Sequence, residues 1–150
     1  MNYIDILGES LKSEFLFDLF ETYDVDVIYE YDRTYENLED EYRAEIPKMG
    51  LGFIFDASQR LTTLFMKKAE HSGYNPFEGD DPRKISFRSG SEAMRYAKEK
   101  SIDAIHHEAE SDSFLGEIPE WVKFIFESYS IHYQFNDDGL NLVTLQLERA

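Results

Sequence analysis

The 150-residue chain carries 31 acids against 15 bases, a formal charge of −16, yet 42% of it is hydrophobic and 15% aromatic. At this length a single domain buries about 68–70% of the surface its unfolded chain exposes, and the apolar content is too high for a disordered acidic tail. Such charge disfavours direct nucleic-acid binding, which needs lysines and arginines against phosphate, and an anionic membrane surface; with no cysteine there is neither a disulfide framework nor a thiolate zinc site.

In chain order, Met1 to Asp5 has no basic or strongly apolar leader pattern. No apolar run reaches the roughly 18 residues of a membrane span, so a soluble, cytoplasmic domain is expected. Residues 3–9 read as a turn or short helix ending near Gly8. From Leu11 to Tyr23 the apolar residues 11, 15, 16, 19, 20 and 23 share one helical face, with Ser10 as N-cap and Phe17 off that face. Val25, Val27, Tyr29 and Tyr31 alternate with mostly charged residues, the period of a half-buried strand.

The stretch from Tyr29 to Glu45 interleaves tyrosines with carboxylates and has only Arg33 and Arg43 as bases. Tyrosine offers broad contact surface with a polar tip, and the acids set a field that attracts a cationic partner. Tyr35, Glu36, Glu39, Asp40, Glu41, Tyr42 and Glu45 are therefore the first candidate interface. Leu38, Tyr42 and Ile46 are spaced by four, which suits a short helix or an irregular acidic loop. Pro47 to Gly50 ends that element.

Leu51 to Asp56 and Leu61 to Met66 predict a central hairpin. The segment 70–83 holds Gly73, Pro76, Gly79 and Pro82 and reads as a long loop; its Glu78, Asp80 and Asp81, beside Tyr74 and Phe77, form a second candidate interface. Lys84 to Arg88 predicts a short strand. Ser89 to Glu92 has capping-box spacing and opens a helix to about Lys100 that buries Ala93, Met94 and Ala97. Ile102 and Ile105 suggest buried contacts, while 108–113 reads as solvated loop. Strands are expected at 121–127, 131–135 and 140–147, the last two joined by the turn Asn136 to Gly139. The sum is one α+β domain over 1–150: an antiparallel sheet of about six strands with helices packed on one face.

No catalytic signature emerges. His106, His107 and Glu108 lack the second histidine that a zincin needs one turn on, where Ser111 stands. Gly50 and Gly52 have no following Gly-Lys-Ser/Thr, and no serine lies in a nucleophile elbow for His132 to activate. Acids are too abundant for carboxylate spacing to mark a glycosidase or magnesium site. No enzyme activity, metal or cofactor is expected. Trp121 reads as a core anchor, and Tyr29 and Tyr31 as structural.

Leu51 to Asp56 with Leu61 to Leu64, the segment Glu117-Ile118-Pro119-Glu120-Trp121, and His132-Tyr133-Gln134-Phe135 before the final strand give a layout that resembles the small stand-alone immunity proteins of bacterial contact-dependent inhibition and other polymorphic-toxin systems. That resemblance implies tight binding of a cognate toxin domain in the bacterial cytoplasm; it carries no binding residue over by position. Because nucleases are expected to be basic where they hold a polyanion, the expected partner is a basic nuclease domain whose active site or groove is blocked. An acidic adaptor with another cationic partner, or a small enzyme with an unrecognised site, are the alternatives.

Overall fold

Side chains alternate between the two faces of a β-strand, and here one face of a broad sheet takes nearly all the large apolar residues. The computed structural model describes residues 2–30, 39–69 and 73–148. A 3-10 turn, Tyr3–Ile6, precedes helix α1 (Glu14–Thr22) and strands β1 (Ile28–Glu30), β2 (Glu41–Ile46), β3 (Leu51–Phe55) and β4 (Leu61–Lys67). Helix α2 (Gly90–Glu99) follows, then β5 (Asp103–His107), β6 (Glu110–Asp112), β7 (Gly116–Ile118), β8 (Glu120–Ile125), β9 (Tyr129–Asn136) and β10 (Gly139–Leu147). The fold is α+β. Eight strands make one sheet, ordered β1-β2-β3-β4-β10-β9-β8-β5, and β6 and β7 pair separately; every pairing is antiparallel.

The sheet is wider than the six strands expected because two strands hide behind misleading patterns. In β2, the spacing of Tyr42 and Ile46 suggests a helix, but the period that acts is two. Ala44 and Ile46 are buried opposite Phe53 and Leu51. In β5 the inward residues are Ala104 and His106, opposite Phe124 and Val122, while Ile105 faces out at 49% exposure. Conversely, 84–88 is not a strand: Lys84 adopts φ 59, outside the extended region, although Phe87 still reaches the core. Strand β1 is only three residues long and wholly exposed, so the half-buried strand expected from Val25 to Tyr31 does not form across the described part; Tyr31 lies outside the described residues.

Helix α1 starts later than its apolar period implies. Ser13 is its N-cap, whereas Ser10 forms a β-bridge with Arg60 and Leu11 donates its N–H to Gln59 O at 2.8 Å. Residues 8–11 thus run along the start of β4 instead of coiling. At α2 the expected cap is half realised: Ser89 Oγ accepts from Glu92 N at 3.2 Å, while Gly90 N donates to Glu120 Oε1 at 3.2 Å. The Glu120 carboxylate therefore meets the positive end of the helix from across the chain.

Two cross-strand rows build the core. One runs Ala44–Phe53–Leu64–Leu145–Ile131–Phe124, the other Ile46–Leu51–Met66–Val143–Tyr133–Val122, and each of these residues is buried. Burying each large apolar side chain contributes about 1.5–3 kcal/mol. The cover over this face is mixed and not purely helical. Phe20 of α1 meets Phe53 edge-on at 5.1 Å, and Tyr96 of α2 stacks on Phe124 at 6.3 Å. Buried Ile6, Phe77 and Phe87, all outside the two α-helices, complete the cover.

The β3–β4 turn depends on one carboxylate. Asp56 Oδ1 accepts from Ser58 N (2.9 Å) and Arg60 N (3.0 Å), and Oδ2 pairs with Arg60 Nε at 3.3 Å. Burial alone would push this carboxyl up, but the backbone and guanidinium of Arg60 and the Ser58 amide outweigh it and hold it below the usual carboxylate range. A depressed folded-state value means the contribution is complete above the unfolded value near 4 and is lost as pH falls through the folded one. Asp56→Ala is expected to cost about 3 kcal/mol at neutral pH. Urea melts at pH 7 and pH 3 check this: the gap between wild type and variant should shrink at pH 3, and an equal gap would contradict the assignment.

Candidate partner-binding surface

The candidate residues of the 35–45 stretch divide among different surroundings. Tyr35 and Glu36 lie outside the described residues. Glu41 and Glu45 project from β2 on the face opposite the core, alternating with inward Tyr42 and Ala44. Tyr42 is half-buried and its ring lies 5.0 Å from that of Tyr29. Tyr29 itself is 47% exposed, so the structural reading of it is corrected: its hydroxyl donates to Asp40 at the sheet edge. Glu39 is exposed beside Asp40. Arg43 pairs with Glu30 at 3.1 Å and Glu41 at 3.2 Å, so this base is engaged locally.

The amino-terminal third of the sequence is the most acidic part of the chain. Fourteen of the 31 acids but only three of the 15 bases fall in residues 1–46. Helix α1 turns Leu16 and Phe20 inward, leaving Glu14, Phe17, Asp18 and Glu21 on the outer surface. Asp24, Asp26 and β1 continue that exposed strip, with Val27, Ile28 and Tyr29 uncovered between carboxylates. Exposed apolar residues rimmed by charge are the composition of an interaction surface. Sequence reasoning missed the outer face of α1, although the period placing Leu16 and Phe20 inside also places Glu14, Phe17, Asp18 and Glu21 outside.

The second candidate segment is built into the fold to different degrees. Glu78 and Asp80 are exposed and line a cleft with Tyr3, Lys48 and Met49. Asp81 is buried and pairs with Lys68 Nζ at 2.6 Å, so its charge is used inside the molecule and not offered to a partner. Tyr74 bridges the two candidate segments. Its ring lies under Lys67 Nζ at 3.3 Å, and burial, reinforced by its hydrogen bond to Glu45, pushes its hydroxyl up to about 12. Glu45 is thus tied to the 73–83 loop, away from the α1 strip.

On the sheet face opposite the core lies an aromatic stack. His107 is parallel to Trp121 at 5.4 Å, and Trp121 meets His132 at 5.0 Å. Trp121 is therefore not the core anchor expected; it is half-buried on the outer face because Val122 and Phe124 take the inward positions. Burial, then the Lys123 ammonium, holds His132 below the usual imidazole range, favouring its neutral form. His106 points to the core face and bonds Glu120 at 2.8 Å. The two histidines point to opposite faces because they are neighbours in strand β5. Among the described residues no group of three or more His, Asp or Glu side chains is placed to hold a metal ion.

The region 108–118, expected in part as solvated loop, is a hairpin. Between β6 and β7, Phe114 is 96% exposed and Leu115 76%. Asp112 Oδ1 accepts from Phe114 N at 2.7 Å and Leu115 N at 2.9 Å; these bonds hold its carboxyl below the usual range. The Asp-Ser-Phe-Leu-Gly run was the available signal: an Asx-type turn carrying two large apolar residues in a polar stretch. No helix among the described residues is long and apolar enough to cross a membrane. No family model, curated protein or solved structure matches the chain.

Proposed function

We propose that this chain is a bacterial immunity protein that binds a cognate toxin domain, a basic nuclease, and neutralises it by covering its active site or substrate groove. The observation supporting this reading is the acidic strip on α1 and the β1 edge, where exposed Phe17, Ile28 and Tyr29 sit among Glu14, Asp18, Glu21, Asp26 and Glu30. Opposite charge speeds encounter, and aromatic contacts slow release. A polyanion-cutting domain presents the matching cationic groove.

The test needs a basic nuclease domain encoded beside this chain's gene, and the absence of any toxin gene there would count against the reading. Reversing Glu14, Asp18 and Glu21 to lysine is expected to lower the association rate about 10–100-fold and flatten its dependence on salt. Reversing Glu92 and Glu99, outside the strip, should change it less than about threefold. Equal effects from the two sets would remove the strip from the interface. Tight binding to a cationic protein with no toxin activity would favour the adaptor reading, and turnover by the isolated chain the enzyme reading.

A further inference from the structure

At the far end of the sheet from the acidic strip, helix α2 and the residue after it carry Arg95, Lys98 and Lys100 beside Glu92 and Glu99. A groove of about 620 Å³ runs between α2 and β5. Its floor is apolar, formed by Met94, Ala97, Ile102 and Ala104, and exposed Arg95 and Lys98 flank it. Strand β5 is the last in the sheet order, paired only with β8 among the described residues.

The β6–β7 hairpin leaves this same end of the molecule, directly after β5, and has the opposite character. Its tip is Phe114 and Leu115, and its stem carries Glu110, Asp112 and Glu117. From Ser101 to Val122 there is no lysine or arginine. The two Asp112 bonds and Gly116 at φ 77 define the tip's backbone, so presenting it costs little additional ordering. Among the described residues nothing covers Phe114, at 96% exposure.

We infer that the hairpin tip of one copy docks in the α2–β5 groove of a second copy, Phe114 and Leu115 meeting the apolar floor while the stem acids face Arg95 and Lys98. Knob and groove lie at one end of the molecule, so the exchange can be reciprocal and close as a two-fold dimer. The acidic strip on α1 and β1 stays outside the contact. This dimer is independent of any toxin.

Sedimentation equilibrium of the isolated full chain tests it. The wild type should move from the mass of one chain towards two as concentration rises. Phe114→Ser with Leu115→Ser should weaken association at least tenfold, and so should Arg95→Glu with Lys98→Glu; all four positions are exposed, and circular dichroism checks that both variants stay folded. Mixing the two variants leaves one intact knob–groove pair, so a heterodimer should form more tightly than either variant alone. A wild type that stays monomeric at every concentration overturns the inference. So does a dimer that either double variant leaves unweakened, or a mixture that associates no better than its components.

Discussion

Phe87→Ala is expected to lower the free energy of unfolding by about 4 kcal/mol, the middle of the range for truncating a buried aromatic. Phe87 is 2% exposed, and its ring meets Tyr133 at 5.1 Å, Tyr96 at 5.4 Å and Phe124 at 5.7 Å. These partners lie on β9, α2 and β8, so one side chain from an irregular segment ties three elements together. Edge-to-face contacts add about 0.5–1.5 kcal/mol per pair beyond area burial. The space left would be walled by strands whose backbones are hydrogen-bonded on both sides, which limits its collapse. Urea denaturation should show a lower midpoint with an unchanged slope. Phe17→Ala, at 54% exposure, should shift stability by less than about 0.5 kcal/mol. A Phe87 loss under about 1 kcal/mol would show that the segment is not a structural part of the core.

Gly50→Ala should be at least as damaging, for a different reason. Gly50 has φ 68, and a Cβ there would lie 2.5 Å from Asn75 O, 2.8 Å from Phe77 N and 3.1 Å from Lys67 O. All three are backbone atoms, so no rotamer change relieves the clash. They also belong to a lattice in which Asn75 N donates to Pro47 O (2.9 Å), Phe77 N to Lys67 O (2.7 Å) and Lys67 N to Gly50 O (2.8 Å). The left-handed backbone alone costs an alanine about 1–2 kcal/mol; pushing the 73–77 segment away adds broken hydrogen bonds, for a total above about 4 kcal/mol. Gly73→Ala is the matched comparison. It has φ 82 but nothing within 4 Å of the new Cβ, so only the conformational cost of about 1–2 kcal/mol applies. Thermal unfolding of the two variants separates crowding from backbone strain, and equal losses would refute the crowding argument.

How far the fold was legible depended on whether an element's period and its apolar content agreed. In β3, β4, β9 and β10 they agree, since the inward positions hold Phe, Leu, Ile, Val, Met and Tyr. In β2 three charged residues occupy the outward positions and only Tyr42, Ala44 and Ile46 face in, so spacing by four competes with spacing by two. In β5 the largest apolar residue, Ile105, faces away from the core, which inverts the usual signal. The candidate surface was legible as charge and not as shape. Composition marks the amino-terminal third as acidic, and the apolar period of α1 already implies which of its carboxylates are left outside, a signal that the burial of Leu16 and Phe20 makes plain. The burial of Asp81 depends on Lys68, thirteen positions away, and no local pattern announces such a pair.

Strand β10 is the last of the described strands in the sequence, yet it lies in the middle of the sheet, between β4 and β9. Strands β1 to β4 and strands β5, β8 and β9 are two separate blocks until it pairs with both. During synthesis, at about 5–20 residues per second, each block can emerge and gain local structure while its inner edge stays open. The two become one cooperative unit only when the closing strand leaves the ribosome. A nascent chain stalled before Gly139 would therefore expose two unpaired sheet edges, which makes it a ready substrate for chaperones and for aggregation.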